Sequence, residues 1–203
     1  ERGYTIIEPD VGVLACGTEG QGRLPSLEEI MEEIEAVLTE KDLSGMRILV
    51  TAGPTQEAID PVRFISNHSS GKMGYALARR ARMRGADVTL ISGVTTQPVP
   101  KKVNSIIVTD AREMRDAVLS ALDGVDVVIK AAAVADYRPS KKENSKIKKN
   151  DETHIITLLR NPDIIAEVGA LKEKRIVVGF AMETEDLVKN ARAKMMTKNM
   201  DLI

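Results

Sequence analysis

One stretch of the chain gathers small residues, hydroxyls and cations in a pattern suited to an anion. Thr51-Ala52-Gly53-Pro54-Thr55 leads through Asp60-Pro61-Val62-Arg63 to Asn67-His68-Ser69-Ser70-Gly71-Lys72-Met73-Gly74, immediately before a helical periodicity. Unpaired N–H groups and the dipole at a helix N-terminus both favour phosphate, and small side chains let a ligand approach the backbone. The natural occupant is a phosphate-bearing molecule; the alternative is that the glycines close turns and the hydroxyls cap the helix. Two common nucleotide motifs fail against these letters. A P-loop needs Gly five residues before the glycine of Gly-Lys-Ser/Thr, whereas Ser66 stands at its first position and Met73 at its last. A nicotinamide dinucleotide site places Asp or Glu at the end of the second strand, where this chain has Ser92-Gly93. Asn67-His68-Ser69 also fits a glycosylation acceptor, which has little weight in a chain whose start, Glu1-Arg2-Gly3-Tyr4, has no secretory character.

Further candidates lie downstream. Asp136 follows the small residues Ala131-Ala132-Ala133 and offers a hard oxygen for magnesium or a ribose hydroxyl, or simply a turn cap. Lys141, Lys142, Lys146, Lys148 and Lys149 crowd a polar stretch, where single lysines are commonly solvated charges. Apolar Ile147 between Lys146 and Lys148 would, in an extended segment, point away from both and aim them together. Phe180 follows Val177-Val178-Gly179 and can pack on a base or in the core.

These residues need a scaffold, and the apolar pattern supplies one. Leu27–Leu38 has Leu27, Ile30, Met31, Ile34, Val37 and Leu38 at helical spacing behind Ser26 as a cap, and 41–45 reads as a polar linker. From there strand and helix alternate: a strand at Ile48–Val50, a helix at 73–84, strands at 87–92 and 105–108, a helix at 111–122 capped by Asp110, and a strand at 125–132. Arg138–Asp151 breaks the pattern as a loop or flap. A strand at 154–159, a helix from Asn161-Pro162 to Leu171, a strand at 176–179 and a helix at 185–197 follow, and Met200-Asp201-Leu202-Ile203 reads as a strand that has barely begun. Such alternation predicts a Rossmann-like, doubly wound, mainly parallel α/β sheet with helices on both faces, and ligands bind at the carboxyl ends of its strands. Composition narrows the function. Basic residues number 29 against 30 acidic ones, aromatics are 2% and Trp is absent, so neither a polyanion-binding charge excess nor a base-stacking platform is present. With one cysteine and no long apolar run, the expectation is a cytoplasmic protein.

Thr51–Thr55, Asp60–Arg63, Ile65–Gly74, Ala132–Tyr137 and Lys146–Lys149 together resemble the phosphopantothenoylcysteine synthetases, specifically the type fused behind a decarboxylase. The similarity runs from about Met46 to the end. It implies activation of the 4′-phosphopantothenate carboxylate by CTP to an acyl-cytidylate, then attack by the cysteine amine, with magnesium required and a homodimer expected. By resemblance Asn67 holds the acyl-cytidylate and Lys146 serves the base and catalysis. Gly53, Arg63, Ser69, Ser70, Gly71, Lys72, Gly74, Ala132, Ala133, Asp136, Lys148 and Phe180 are expected to bind nucleotide or substrate. Ala15-Cys16-Gly17 with Gly20-Gln21-Gly22-Arg23 resembles the cysteine-bearing flap of the decarboxylase, whose cysteine acts as an acid in a flavin reaction. Residues 1–40 are therefore expected to be the decarboxylase's carboxyl-terminal remnant, unable alone to hold FMN, and 46–203 the ligase domain, incomplete at its C-terminus. Two other readings stay open: an NAD(P)-dependent oxidoreductase on the same fold, and a non-catalytic nucleotide-binding module.

Overall fold

The computed structural model describes residues 4–148, 153–182 and 185–203. A short hairpin, β1 (Asp10–Val13) and β2 (Glu19–Arg23), precedes helix α1 (Leu27–Leu38). Next come β3 (Arg47–Ala52), the small hairpin β4 (Gln56–Ala58) and β5 (Phe64–Ser66), α2 (Lys72–Met83), β6 (Asp87–Ser92), β7 (Asn104–Ile107) and α3 (Ala111–Ser120). The chain continues with β8 (Val127–Lys130), β9 (Tyr137–Pro139), β10 (Leu158–Arg160), α4 (Ile164–Ala170), β11 (Ile176–Gly179) and α5 (Leu187–Thr197).

The five strands β11-β8-β3-β6-β7 form one sheet in that order, and every pairing is parallel. Strand alternation sorts the core onto its two faces. Ile48, Val50 and Ala52 of β3 pack with Tyr75, Ala78 and Ala81 of α2, whereas Leu49 packs with Met114 and Val118 of α3 and Val168 of α4. Successive side chains of a strand point to opposite faces, so one short apolar run feeds both layers. This is the expected doubly wound arrangement. The closing residues also behave as expected, since Leu202 makes a parallel bridge to Val178 of β11.

Four features differ from the sequence reading. The β4–β5 hairpin was not anticipated, because three-residue strands carry too few side chains to show a period. The strand expected at 154–159 is only Leu158–Arg160 and lies outside the main sheet, pairing antiparallel with β9. Residues 153–157 have no ladder partner among the described residues; apolar letters alone could not reveal that. The lysine-rich stretch opens with strand β9 and then runs irregularly to Lys148; its residues 149–151 fall outside the described ones.

The largest difference concerns α1, whose limits and Ser26 cap are as expected but whose facing is not. Leu27, Met31, Val37 and Leu38 are exposed, and the buried residues are Glu33 and Ala36. The polar face docks through ion pairs: Arg82 with Glu32 and Glu33, Arg79 with Glu32, Lys102 with Glu33, and Lys101 with Glu29. Residues 41–45 are tied to the end of α2, with Leu43 N–H donating to the Arg84 carbonyl at 3.0 Å and Lys41 Nζ to the Met83 carbonyl at 2.6 Å.

Candidate functional site

At the carboxyl end of the sheet the loops after β3 and β8 close against each other. Ala133 N–H donates to the Gly53 carbonyl at 2.9 Å, and Thr55 N–H returns to the Ala133 carbonyl at 3.3 Å. The buried hydroxyls of Thr51 and Thr55 accept from the N–H groups of Ala132 and Ala135, at 3.2 and 3.0 Å. The alanines at 132 and 133 thus spend their amides within the rim. Their contribution to a ligand is small size beside an approachable backbone rather than free donors.

The loop Asn67–Gly74 sits on this rim. Gly53 and Gly71 both adopt positive φ, +72° and +74°, and a Cβ on either would meet the Thr95 methyl at 2.6 and 2.8 Å. A Cβ on Gly74 would lie 2.5 Å from the Ala52 Cβ, so α2 reaches its close approach to β3 only through glycine. Helices α1, α3 and α4 have their first amides capped by the side chains of Ser26, Asp110 and Asp163, whereas α2 begins at Gly71 with no side-chain cap. Its opening N–H groups are therefore left for an outside acceptor. The Ser69 hydroxyl accepts from Gly71 N–H at 3.3 Å; Ser70 and Lys72 are exposed beside it.

Asn67 spans the two loops. Its Nδ2 donates to the carbonyls of Ala133 and Val134, both at 3.2 Å, and Oδ1 has no partner among the described residues. Both N–H bonds of the amide are thus committed, so donating to any further acceptor would require the release of one of these carbonyls.

Ser92, where a dinucleotide-binding acid would stand, is fully buried. It accepts from the Tyr75 hydroxyl at 3.0 Å and donates to the Gly93 carbonyl at 2.8 Å, so it is committed to the core.

Beyond β8 and β11 a cavity of about 110 Å³ is lined by Lys130, Asp136, Asn161, Asp163, Phe180, Lys194 and Lys198, among others. Asp136 and Phe180 were expected in the site, and here they share one wall space. The three lysines and Asn161 were not expected. Lys194 and Lys198 look like ordinary solvated positions on α5, and Lys130 ends an apolar strand; only the fold brings them together. Burial, reinforced by the neighbouring Lys194 and Lys198, holds the Lys130 ammonium below the usual lysine range. Lys198 pairs with Asp163 at 2.8 Å. Asn161 Nδ2 donates to the Ala135 carbonyl at 2.8 Å while its Oδ1 accepts from Arg138 at 3.1 Å.

Arg63 is committed elsewhere than to an open ligand space. It pairs with the buried Asp60 carboxylate, whose protonation is pushed well below the usual range by that guanidinium and by the N–H groups of Val62, Ile147 and Arg63. Arg63 also donates to the Ile147 carbonyl at 2.9 Å. Ile147 is half-buried, and Lys146 and Lys148 on either side are exposed.

Cys16 lies in the turn of the β1–β2 hairpin, exposed, with Sγ 3.1 Å from the Thr18 hydroxyl. Hydrogen bonds from the side chain and backbone of Thr18 draw its thiol below the usual range. None of its hydrogen bonds reaches the rim. Among the described residues no group of three or more His, Cys, Asp or Glu side chains could cage a metal ion. No helix there is long and apolar enough to cross a membrane.

The chain is thus a doubly wound α/β protein with an uncapped helix, a glycine-built rim and a cationic cavity at the carboxyl ends of its strands. It belongs to the family described as the DNA/pantothenate metabolism flavoprotein C-terminal domain, whose family model matches residues 43–203. It is 48% identical over 205 residues to the coenzyme A biosynthesis bifunctional protein CoaBC of Vibrio cholerae, and 49% identical over 207 residues to that of Bacillus subtilis. Both alignments cover 100% of this chain and 51% of the relative, so the chain spans about half the length of the curated relatives it matches. A crystal structure of the C-terminal domain of a CoaBC protein superposes with a TM-score of 0.72 at 45% identity, covering 81% of this chain and 78% of that one.

Proposed function

We propose that residues 46–203 form a phosphopantothenate–cysteine ligase domain that activates the 4′-phosphopantothenate carboxylate with CTP, after which the cysteine amine displaces CMP from the acyl-cytidylate. The observation that carries this reading is the meeting of the uncapped α2 N-terminus and the Asn67 bridge with the rim that leads to Asp136, in a chain of this family.

A carboxylate attacking the α-phosphorus brings two anions together, so the site must neutralise and position both. The Lys72–Gly74 amides with Ser69 and Ser70 suit one phosphate group. Lys130, Lys194 and Lys198 form a second cationic region, able to hold the triphosphate beside Phe180, whose exposed ring (43%) is available to the base. Asn67, on turning its amide, donates to the mixed anhydride without offering a competing nucleophile. Magnesium fits as an ion carried by the triphosphate, since such ions need only one or two protein carboxylates, and of the two that line the cavity Asp163 is paired with Lys198, which leaves Asp136. Bound there, it would neutralise charge on the phosphates. Lys146, with Lys148 beside it, completes the nucleotide side.

The outward apolar face of α1 supports assigning residues 1–40 to a preceding decarboxylase domain, as does the start of the family match at residue 43. FMN and the acid chemistry of Cys16 belong to that complete domain. A homodimer and a cytoplasmic location complete the reading. Pyrophosphate release is the test. It should require 4′-phosphopantothenate, prefer CTP over ATP and proceed without cysteine, which is needed only for the final product. Nucleotide binding with no pyrophosphate under any combination would instead make this a binding module.

A further inference from the structure

We propose that Asp60 is a positioning residue, whose carboxylate, together with Arg63, straps the main chain around Ile147 to the tip of the β4–β5 hairpin and thereby fixes where Lys146 stands; this rests on the nucleotide role given to Lys146 above. The Asp60 side chain is wholly buried, and its acceptor capacity is directed at its own hairpin tip and at the segment around Ile147. Oδ1 accepts from Val62 N–H and Arg63 N–H, both at 2.8 Å, which shapes the tip of its own hairpin. Oδ2 accepts from the Arg63 guanidinium and, across 87 positions of sequence, from Ile147 N–H at 3.1 Å. Arg63 closes the circuit by donating to the Ile147 carbonyl at 2.9 Å. Four residues earlier, Glu143 N–H donates to the Ile59 carbonyl at 2.9 Å. Residues 143–147 are therefore held at both ends on one hairpin tip, through backbone groups that leave the lysine side chains free.

The same hairpin leads directly to the rim. Its first strand follows Thr55, its second ends at Ser66 beside Asn67, and the Ser66 hydroxyl donates to the Thr55 carbonyl at 2.7 Å. Glu57 ties it to α3 by accepting from Ala111 N–H at 3.0 Å. The hydrogen-bonded hairpin thus joins Asn67 at one end to the lysine strap at the other. Only an ionised carboxylate can be the hub, because five N–H groups converge on it and an amide would set its own N–H against at least one of them.

The decisive measurement is hydrogen exchange at the Ile147 amide in the full-length protein. Asp60→Asn should speed it by about tenfold or more, the size expected for losing a hydrogen bond to a charged group, and leave the β3 amides unchanged. The same variant should raise the KM for CTP while leaving that for cysteine alone, a split that general destabilisation does not produce. Unchanged exchange at Ile147 in the folded variant would overturn the proposal, as would faster exchange with an unaltered KM for CTP where Lys146→Gln impairs activity. Should Asp60→Asn not fold, Arg63→Lys carries the test, since it keeps a cation beside Asp60 but loses the second arm to the Ile147 carbonyl; the same two outcomes decide. A Lys146→Gln variant with normal activity would overturn the nucleotide role of Lys146 instead, while released exchange in Asp60→Asn would still uphold the strap.

Discussion

The rim that carries Asn67 and the strap that carries Lys146 place their side chains by different physical means. At the rim, loops after β3, β8 and β6 interlock so closely that Gly53, Gly71 and Gly74 have no room for a methyl group. Its geometry follows from core packing, and little can move without disturbing the sheet. The strap has no such backing: between Ser140 and Lys148 most residues are exposed, and two hydrogen bonds at Ile147 and one at Glu143 hold it to the hairpin tip. The contrast teaches that a ligand site can combine a part preorganised by the fold with a part docked by a few polar contacts. The second depends on those few bonds alone for its position.

The sharpest way to probe the rim is Asn67→Asp. A carboxylate there faces the carbonyls of Ala133 and Val134 and any bound phosphate, so product formation should fall by about 100-fold or more, the size of a lost transition-state donor. Thermal stability should drop only slightly, because the residue is exposed. Wild-type rates would remove Asn67 from the chemistry.

Gly74→Ala attacks the packing instead. Its methyl group would stand 2.5 Å from the Ala52 Cβ and 2.9 Å from the Thr51 carbonyl oxygen, and overpacking of this kind costs about 1–3 kcal/mol in a denaturant melt. If the variant is as stable as the parent, the rim is more compliant than its contacts indicate and the comparison fails.

On the strap, single-site effects should be graded. We expect Lys146→Gln to lower CTP-dependent activity by about tenfold or more and Lys148→Gln less, with Lys141→Gln and Lys142→Gln nearly silent, as for screened surface charges. Equal, mild and salt-sensitive losses at all four would reduce the strap to a diffuse positive field.

Asp136→Asn should weaken magnesium-dependent CTP binding several-fold, by about 1 kcal/mol, while moving the melting temperature little. Calorimetry at saturating magnesium reads this directly; an unchanged affinity excludes the carboxylate.

The smallest effect concerns Lys130 and separates function from stability. Its folded-state pKa is depressed from the ordinary 10.5, so the unfolded chain binds more protons in the interval between the two values and stability rises with pH there. Lys130→Met should therefore raise the melting temperature near neutral pH, with the gain vanishing toward pH 10.5, and should weaken CTP binding. A melting temperature that falls equally at all pH values would show that the ammonium is not a strained charge.

Much of this was legible in the letters. Alternating apolar runs announced the doubly wound sheet, because a strand buried on both faces and a helix with one apolar stripe have different periods. The Gly53 and Asn67–Gly74 pattern marked a tight loop before a helix, since only certain residues permit positive φ or tight backbone approach. Ile147 between two lysines pointed to an anchored segment, although not to the carboxylate and guanidinium that anchor it. Other features depended on residues far apart in sequence. Lys130, Lys194 and Lys198 become one cationic cavity only when β8 and α5 meet, and Asp60 becomes a hub only when residue 147 returns to the hairpin. The outward face of α1 belongs here too, for periodicity shows that a helix has an apolar side but not which neighbour it turns toward. The sequence by itself determined the strands of the central sheet and the helices that cover it, because those are local matters of pattern. Which charges share a cavity, and which carboxylate holds which strand of chain, was decided only by tertiary structure, where Coulomb and hydrogen-bond partners are set by distance in space.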